Sequence, residues 1–424
     1  MSDFNGIEIN KIGGGLGRRN PVADGTMALI AGGVATGSLA LGTVAKLIQL
    51  SDAEDLGIDA SYDANNGILV HHHISEFFRL SPDGTLYLML VAQGTSMTDI
   101  CDTSNDYLKK IIISETSNRE IRVAGVVLNP IMATYTPTLT GGLDGDVLTA
   151  IPKAQELIDN LRADNIYLDS VIIEGREVNG TIAAMTDLRT LDSQNVSVVI
   201  AQDPQISGLD VDYADYAAVG SALGMLSIRK VHENLGSVDI LVKPSIKKGD
   251  ENYPLTNQAN NLWLYALISS GVVVGEMSQT EKTALKNKGY VYAGGYEGYP
   301  YTYFNSSSTC TEIADDFNFI EKNRTWNKAA RYVIQVLTPK INSTIDIDGN
   351  TGYIKNSTIS SWEAIVKQKL GNMLTDGEVS SVDVYINPAQ NVLSGEPILI
   401  QISIVPKGIA EKITVDLGFK NPLA

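Results

Sequence analysis

His71, His72 and His73 stand side by side in "GILVHHHI", and imidazoles in that number could hold a metal. The stretch reads as a strand, where neighbours point to opposite faces, so only His71 and His73 could converge. A zinc site needs a third ligand and usually a fourth, and the one other histidine is His232. Strand surface is the better reading, and no metal site is assigned. "DIDGN" at 346–350 has half of a calcium loop but lacks its third acidic position and terminal glutamate; Asp-Gly in a hairpin turn fits better. "GGVATGS" at 32–38 has the glycines of a phosphate loop without the lysine that would meet the phosphates. In "GGGLGR" at 13–18, Arg18 takes the place of the third small residue of a dinucleotide fingerprint, and no helix follows. There is no GxSxG, little histidine to act as base, and no carboxylate pair marked by its context. Catalytic residues and cofactors are therefore assigned as none. Six tyrosines in "YVYAGGYEGYPYTYF" could form a sugar-binding or contact surface, with sheet and loop packing the plainer reading.

The elements that would have to position such groups follow an α/β rhythm. Residues 1–23 end in "GGGLGRRNP" and read as an arm. "TMALIAGG" and "TVAKLIQL" read as strands, and "SDAEDLGI" as a helix capped by Ser51. From about 68 to 242, strands are expected at "GILVHHHI", "TLYLMLVA", "IRVAGVVL", "YLDSVIIEG", "VSVVIAQ" and "VDILVK". Helices are expected at 98–110, 147–163, 181–190 and 213–230, which implies a largely parallel sheet with crossover helices. "TNQANNLWLYALISSG" reads as a helix ending at Gly271. A long helix is expected over 311–338, with Ile313, Phe317, Ile320, Ala330, Val333 and Leu337 as its apolar stripe. Glu321, Arg324, Lys328 and Arg331 lie opposite, spaced for ion pairs, and Pro339 stops the helix. A hairpin at "IDIDGNTGYI", a helix over 361–374 and strands at 380–386, 396–405 and 412–419 complete the chain.

The chain's 424 residues exceed one compact core, and 44% hydrophobic with 19% charged residues reads as globular. A net charge of -17 argues against nucleic acid and anionic membrane as partners. Residues 321–424 carry 11 Lys+Arg against 10 Asp+Glu, which leaves about -18 on residues 1–320. The first twenty residues are also near neutral. Charge-balanced ends would suit packing against sister molecules, though chance serves as well. Cys101 and Cys310 lie far apart, form no CxxC, and indicate no oxidising compartment. The N-terminus does not read as a signal peptide. Residues 26–45 are uncharged and long enough to span a membrane, but their glycines favour two strands joined by a turn.

Two strands near the C-terminus stand out. In "EPILIQISIVP", Ile398, Ile400, Ile402 and Ile404 fall on every second residue; in "EKITVDLGF", Ile413, Val415, Leu417 and Phe419 do the same. Edges this apolar need a cover. The order of parts, from "GTMALIAGGVATGSLALGTVAKLIQLSDAEDLGI" through "DDFNFIEKNRTWNKAARYVIQVLTP" to "SVDVYINP" and these strands, resembles the sheath protein of contractile bacteriophage tails and related contractile injection systems. The resemblance is strongest at 25–58 and 311–424 and rests on pattern, with the middle not alignable.

The resemblance implies a structural, non-enzymatic subunit that stacks as six-fold rings around an inner tube. It would be assembled in the host cytoplasm into a virion tail, without nucleic-acid or membrane partners. It would be metastable when extended and would contract to drive the tube through an envelope. Tube, baseplate and tail terminator proteins would be its partners besides its own copies. The implied fold is α/β (α+β overall): an outer α/β domain over 24–309 with a mostly parallel sheet, and an inner assembly domain over 310–424. The arm over 1–23 would join inner domains of neighbours. Strand exchange would use Ile413, Val415, Leu417 and Phe419 with Ile7 and Ile9 of the arm, and Pro406 and Gly408 would be the hinge. Trp362, Lys367 and Lys369 mark a helix that could face the tube, a solvated lysine pair being the alternative. An α/β enzyme binding a nucleotide or sugar, and another self-assembling shell or surface-layer protein, remain as other readings.

Overall fold

The computed structural model describes residues 24–114, 116–178 and 181–419. Its centre is a seven-stranded sheet. The strands are β1 (Thr26–Gly33), β2 (Val44–Leu47), β3 (Thr85–Ala92), β4 (Val123–Val127), β5 (Ser170–Glu174), β6 (Val196–Val199) and β7 (Tyr290–Val291). In space they run β7-β6-β5-β4-β1-β3-β2, all parallel except β2, which is antiparallel to β3. A parallel strand covered on both faces reads as an unbroken apolar run, and every residue of β1 is buried. The two strands expected from residues 26–45 both form, but they are not neighbours: β3 lies between them.

Helices α1 (Leu50–Asp55), α2 (Ala60–Asn66), α3 (Val70–Leu80), α4 (Met97–Cys101), α5 (Leu108–Ile113), α6 (Gly145–Ala163), α7 (Val219–Ile228) and α8 (Gln279–Asn287) flank this sheet. They form two groups, α3 with α7 and α4 with α6. Glycine sets the first pairing. A Cβ on Gly220 of α7 would stand 2.3 Å from the carbonyl oxygen of His73, so only glycine permits that approach.

Several expectations fail for identifiable reasons. "GILVHHHI" is not a strand: α3 starts at Val70, and the Asp63 carboxylate accepts the N–H groups of His71 and His72 at 2.9 Å each. A capped helical start and an apolar stripe through Val70, Ile74 and Phe77 override local β propensity. Helix α1 is capped by Gln49 rather than Ser51, with Asp52 taking the N–H of Ile48 at 2.7 Å. The 98–110 helix is broken into α4 and α5, 181–190 forms two 3-10 turns, and α7 covers only part of 213–230. Residues 238–243 form no strand. "TNQANNLWLYALISSG" is not a helix. Asn261 and Trp263 take left-handed backbone, and Trp263 is buried, donating its N–H to Asp203 and its indole N–H to Glu76, both at 3.1 Å.

The chain then builds a second, smaller core. Helix α9 (Ile320–Leu337) begins later than expected, and α10 (Asn356–Thr375) follows. Strands β8 (Ala293–Tyr296) and β9 (Tyr299–Phe304) make the tyrosine hairpin, in which Tyr303 is buried while Tyr296, Tyr299 and Tyr301 are exposed. Strands β10 (Val379–Ile386) and β11 (Ile400–Pro406) form an antiparallel hairpin with Val382 opposite Ile404 and Val384 opposite Ile402. Ala329, Val366, Leu370, Met373, Val379, Val382 and Val384 make its core.

Candidate assembly surface

Helix α9 joins the two cores, and of its expected apolar stripe Ile320 is buried in the first core while Val333 and Leu337 pack against the second. Its charged side faces inward. Glu321, Arg324 and Lys328 are buried, while Trp326, outside the expected stripe, is 43% exposed. Lys328 Nζ lies 2.8 Å from Asp24 and 2.7 Å from Glu378. Arg331 bridges Asp24 and Asp169, each at 3.1 Å. Arg324 donates to the Asp24 carbonyl at 3.1 Å. Burial pushes the Asp24 carboxyl upward, but Lys328, with Arg331 and Arg324, outweighs it and holds the group below its ordinary value. Burial raises Glu378 against the pull of Lys328. The cluster ties Asp24, the seven-stranded sheet and the start of β10 to one helix.

The other flank of α9 is left open. A groove of about 720 Å³ runs between α9 and β11, lined by Trp326, Ala330, Val333, Ile334, Ile400, Ile402 and Ile404 among others. Tyr167 and Phe317 each place a ring 6.2 Å from Trp326 at one end. Among the described residues β11 pairs only with β10, so its second edge is unpaired. Residues 412–419 take part in no strand pairing, and Ile413, Val415, Leu417 and Phe419 are 74% to 111% exposed. The expected third strand over 412–419 is therefore not formed: the segment belongs to no sheet among the described residues. The same chain holds an open apolar edge and an exposed apolar segment of matching period.

The remaining predicted residues fall as follows. Pro406 ends β11 and Gly408 follows in irregular backbone. Trp362 packs beside a small cluster of Ile354, Ile359 and Ile386. Lys367 is exposed, 3.4 Å from Asp383. Lys369 Nζ stands 4.5 Å above the Tyr332 ring, a cation–π contact. Ile7 and Ile9 lie outside the described residues. Sequence reasoning missed Tyr167 and Trp326. The signal for the groove was the Trp326, Ala330, Val333, Ile334 stripe, whose outward orientation depends on where the charged side is neutralised.

The crevice at the carboxyl ends of the parallel strands, where enzymes of this sheet type bind ligands, is a cleft of about 620 Å³. Its carboxylates are already engaged. Asp146 accepts from the N–H of Met97 at 2.6 Å and of Thr98 at 3.0 Å, and Asp144 accepts from the Tyr135 hydroxyl and the Asp146 N–H. Glu174 accepts the N–H of Leu128 at 2.9 Å and of Ala217 at 3.0 Å. These groups cap backbone rather than stand free for proton transfer. The glycines at 32–38 lead into β2, not into a helix, so no helix N-terminus faces a phosphate there. Among the described residues no cluster of three metal-ligating side chains occurs, and no helix is long and apolar enough to cross a membrane. Cys101 and Cys310 are buried free thiols, the latter pushed up to about 12 by burial.

A body of doubly wound parallel sheet joined through a long helix to a small hairpin domain defines a class: the sheath-subunit fold of contractile injection systems. The helical sheath of the anti-feeding prophage in its contracted state superposes with a TM-score of 0.59 at 12% identity, over 99% of this chain and 100% of that one. The sheath of an extracellular contractile injection system, the PVC sheath complex in its contracted state, gives 0.58 at 13%, over 100% and 99%. A chain of the six-fold symmetrised anti-feeding prophage baseplate gives 0.58 at 12%, over 99% and 100%. At such identity the likeness is one of fold. The chain belongs to the DUF2586 family, whose N-terminal domain matches residues 4–308 and whose C-terminal domain matches residues 316–424. No curated protein matches it in sequence.

Proposed function

We propose that this chain is the structural subunit of a contractile sheath. Copies stack as six-fold rings around an inner tube, store energy in an extended state, and contract to drive the tube through a target envelope. The observation that carries this reading is the presence, in one chain, of both an uncovered β11 edge and an exposed segment over 412–419 with a strand's apolar alternation. Each copy donates that strand to a neighbour's groove and receives one in return, the β-augmentation mode of recognition. The arm over 1–23, with Ile7 and Ile9, makes the companion link, and Pro406 to Gly408 flexes between states. Residues 24–309 form the outer domain and 310–424 the inner assembly domain. Helix α10, with Trp362, Lys367 and Lys369, faces the tube. The subunit has no catalytic role. Its other partners are tube, baseplate and terminator proteins, and it is assembled in the host cytoplasm into a particle tail.

The energetics suit the role. Four apolar side chains contribute roughly 1.5–3 kcal/mol each on burial, and each ordered residue costs roughly 1–2 kcal/mol. Gain and cost are of the same order, so one link is weak and a closed lattice of them is strong. Electron microscopy of the purified chain tests the proposal: hollow cogwheel-like cylinders are expected. Small discrete particles alone at high concentration, or flat lattices, contradict it.

A further inference from the structure

The chain could close its own sheet, yet does not. "KGIA" at 407–410 is a four-residue link containing glycine, a common hairpin loop. Folding back with that loop would set Glu411 opposite Pro406. Ile413 would then meet Ile404, Val415 would meet Ile402, and Leu417 would meet Ile400, all on the groove face of β11. A monomer so closed would have spent both its donor strand and its acceptor edge.

The structure shows what opposes this. Glu411 is drawn away from β11 to the body of the subunit, where its carboxylate lies 2.7 Å from Lys286 Nζ on α8. Half-buried Ile409 lines a cleft of about 340 Å³ with His232, Phe319 and Lys322. The loop residues are thus held on the body, and 412–419 leaves from there instead of from the end of β11. We propose that the Lys286–Glu411 pair, with the Ile409 seat, is a latch against self-closure that reserves both the strand and the edge for a second copy of this chain. The proposal rests on the sheath reading only for its purpose; the latch itself is a property of the single subunit.

The test uses the full chain carrying Ser403→Cys and Thr414→Cys, which face each other across the hairpin only when it closes on itself. Oxidation at low protein concentration, followed by mass spectrometry of the monomer, reads the closed fraction. Cys101 and Cys310 are buried, which keeps the background low. Glu411→Lys should raise intrachain bridging by about two- to five-fold, the factor an exposed ion pair of up to about 1 kcal/mol corresponds to. Ile409→Ser should add to it, and Lys286→Glu combined with Glu411→Lys should return it to the starting level. Equal bridging in all variants, or full bridging with the latch intact, overturns the proposal. Polymerisation of the same variants, without the added cysteines, is scored separately. If no variant forms tubes while bridging follows the latch, the latch stands and the sheath reading falls.

Discussion

Strand β1 and strand β11 are both rich in apolar residues and opposite in fate. Every residue of β1 is buried, and both of its edges are paired, to β3 and β4. The isoleucines of β11 are only half buried, and among the described residues one of its edges has no partner. The first region is finished within the chain. The second carries its own missing strand on the same molecule and leaves it in solvent. Helix α9 shows the same division across its width, with ion pairs inward and Trp326, Val333 and Ile334 toward the open groove. An unbroken apolar run marks a strand covered on both faces within its own chain, while alternation in β11 leaves open what covers its second edge.

The contrast can be broken from either side. Truncation before Glu411 should abolish tube formation in sedimentation assays. The subunit's thermal midpoint should move by no more than about 2 °C, because the removed residues add nothing to either core. Lys328→Met should cost about 3–5 kcal/mol in urea unfolding, since it strands the buried Glu378 carboxylate and leaves half-buried Asp24 to Arg331. Gly220→Ala should cost about 1–3 kcal/mol by forcing α7 away from α3.

A pH effect is smaller. Burial first, then a hydrogen bond with Asp215, raises Glu177 to about 7 from an ordinary 4.5. The folded state therefore holds a proton that the unfolded chain releases. This contribution is full below pH 4.5 and is lost as pH rises through 7. Relative to Glu177→Gln, the unaltered subunit should lose under about 1 kcal/mol between pH 4.5 and 7.5, solvent screening included. Smallest of all, Leu417→Ser should leave the free subunit's stability within about 0.5 kcal/mol while slowing tube growth.

The parallel strands were legible because burial on both faces leaves unbroken apolar runs, as in "TMALIAGG" and "TLYLMLVA". The β10–β11 hairpin was legible from strict alternation, whereas the equally alternating 412–419 forms no strand within the chain. The orientation of α9 was not. Charges spaced for ion pairs look the same whether they meet water or distant carboxylates, and Asp24, Asp169 and Glu378 are far from α9 in sequence. The histidine stretch failed similarly, because its cap, Asp63, belongs to the preceding helix. Trp263 sits in a loop that only its buried partners Glu76 and Asp203 explain. In each case the missing information was a long-range polar contact, which periodicity does not encode.

The central claim is that the open edge of β11 is completed by another copy. Electron cryomicroscopy of the polymer, at a resolution that traces main chain, tests it most directly. A strand over residues 412–419 is expected to lie along β11 and connect back to a different subunit. A β11 edge left bare in the polymer, or covered by its own chain's segment, would contradict it.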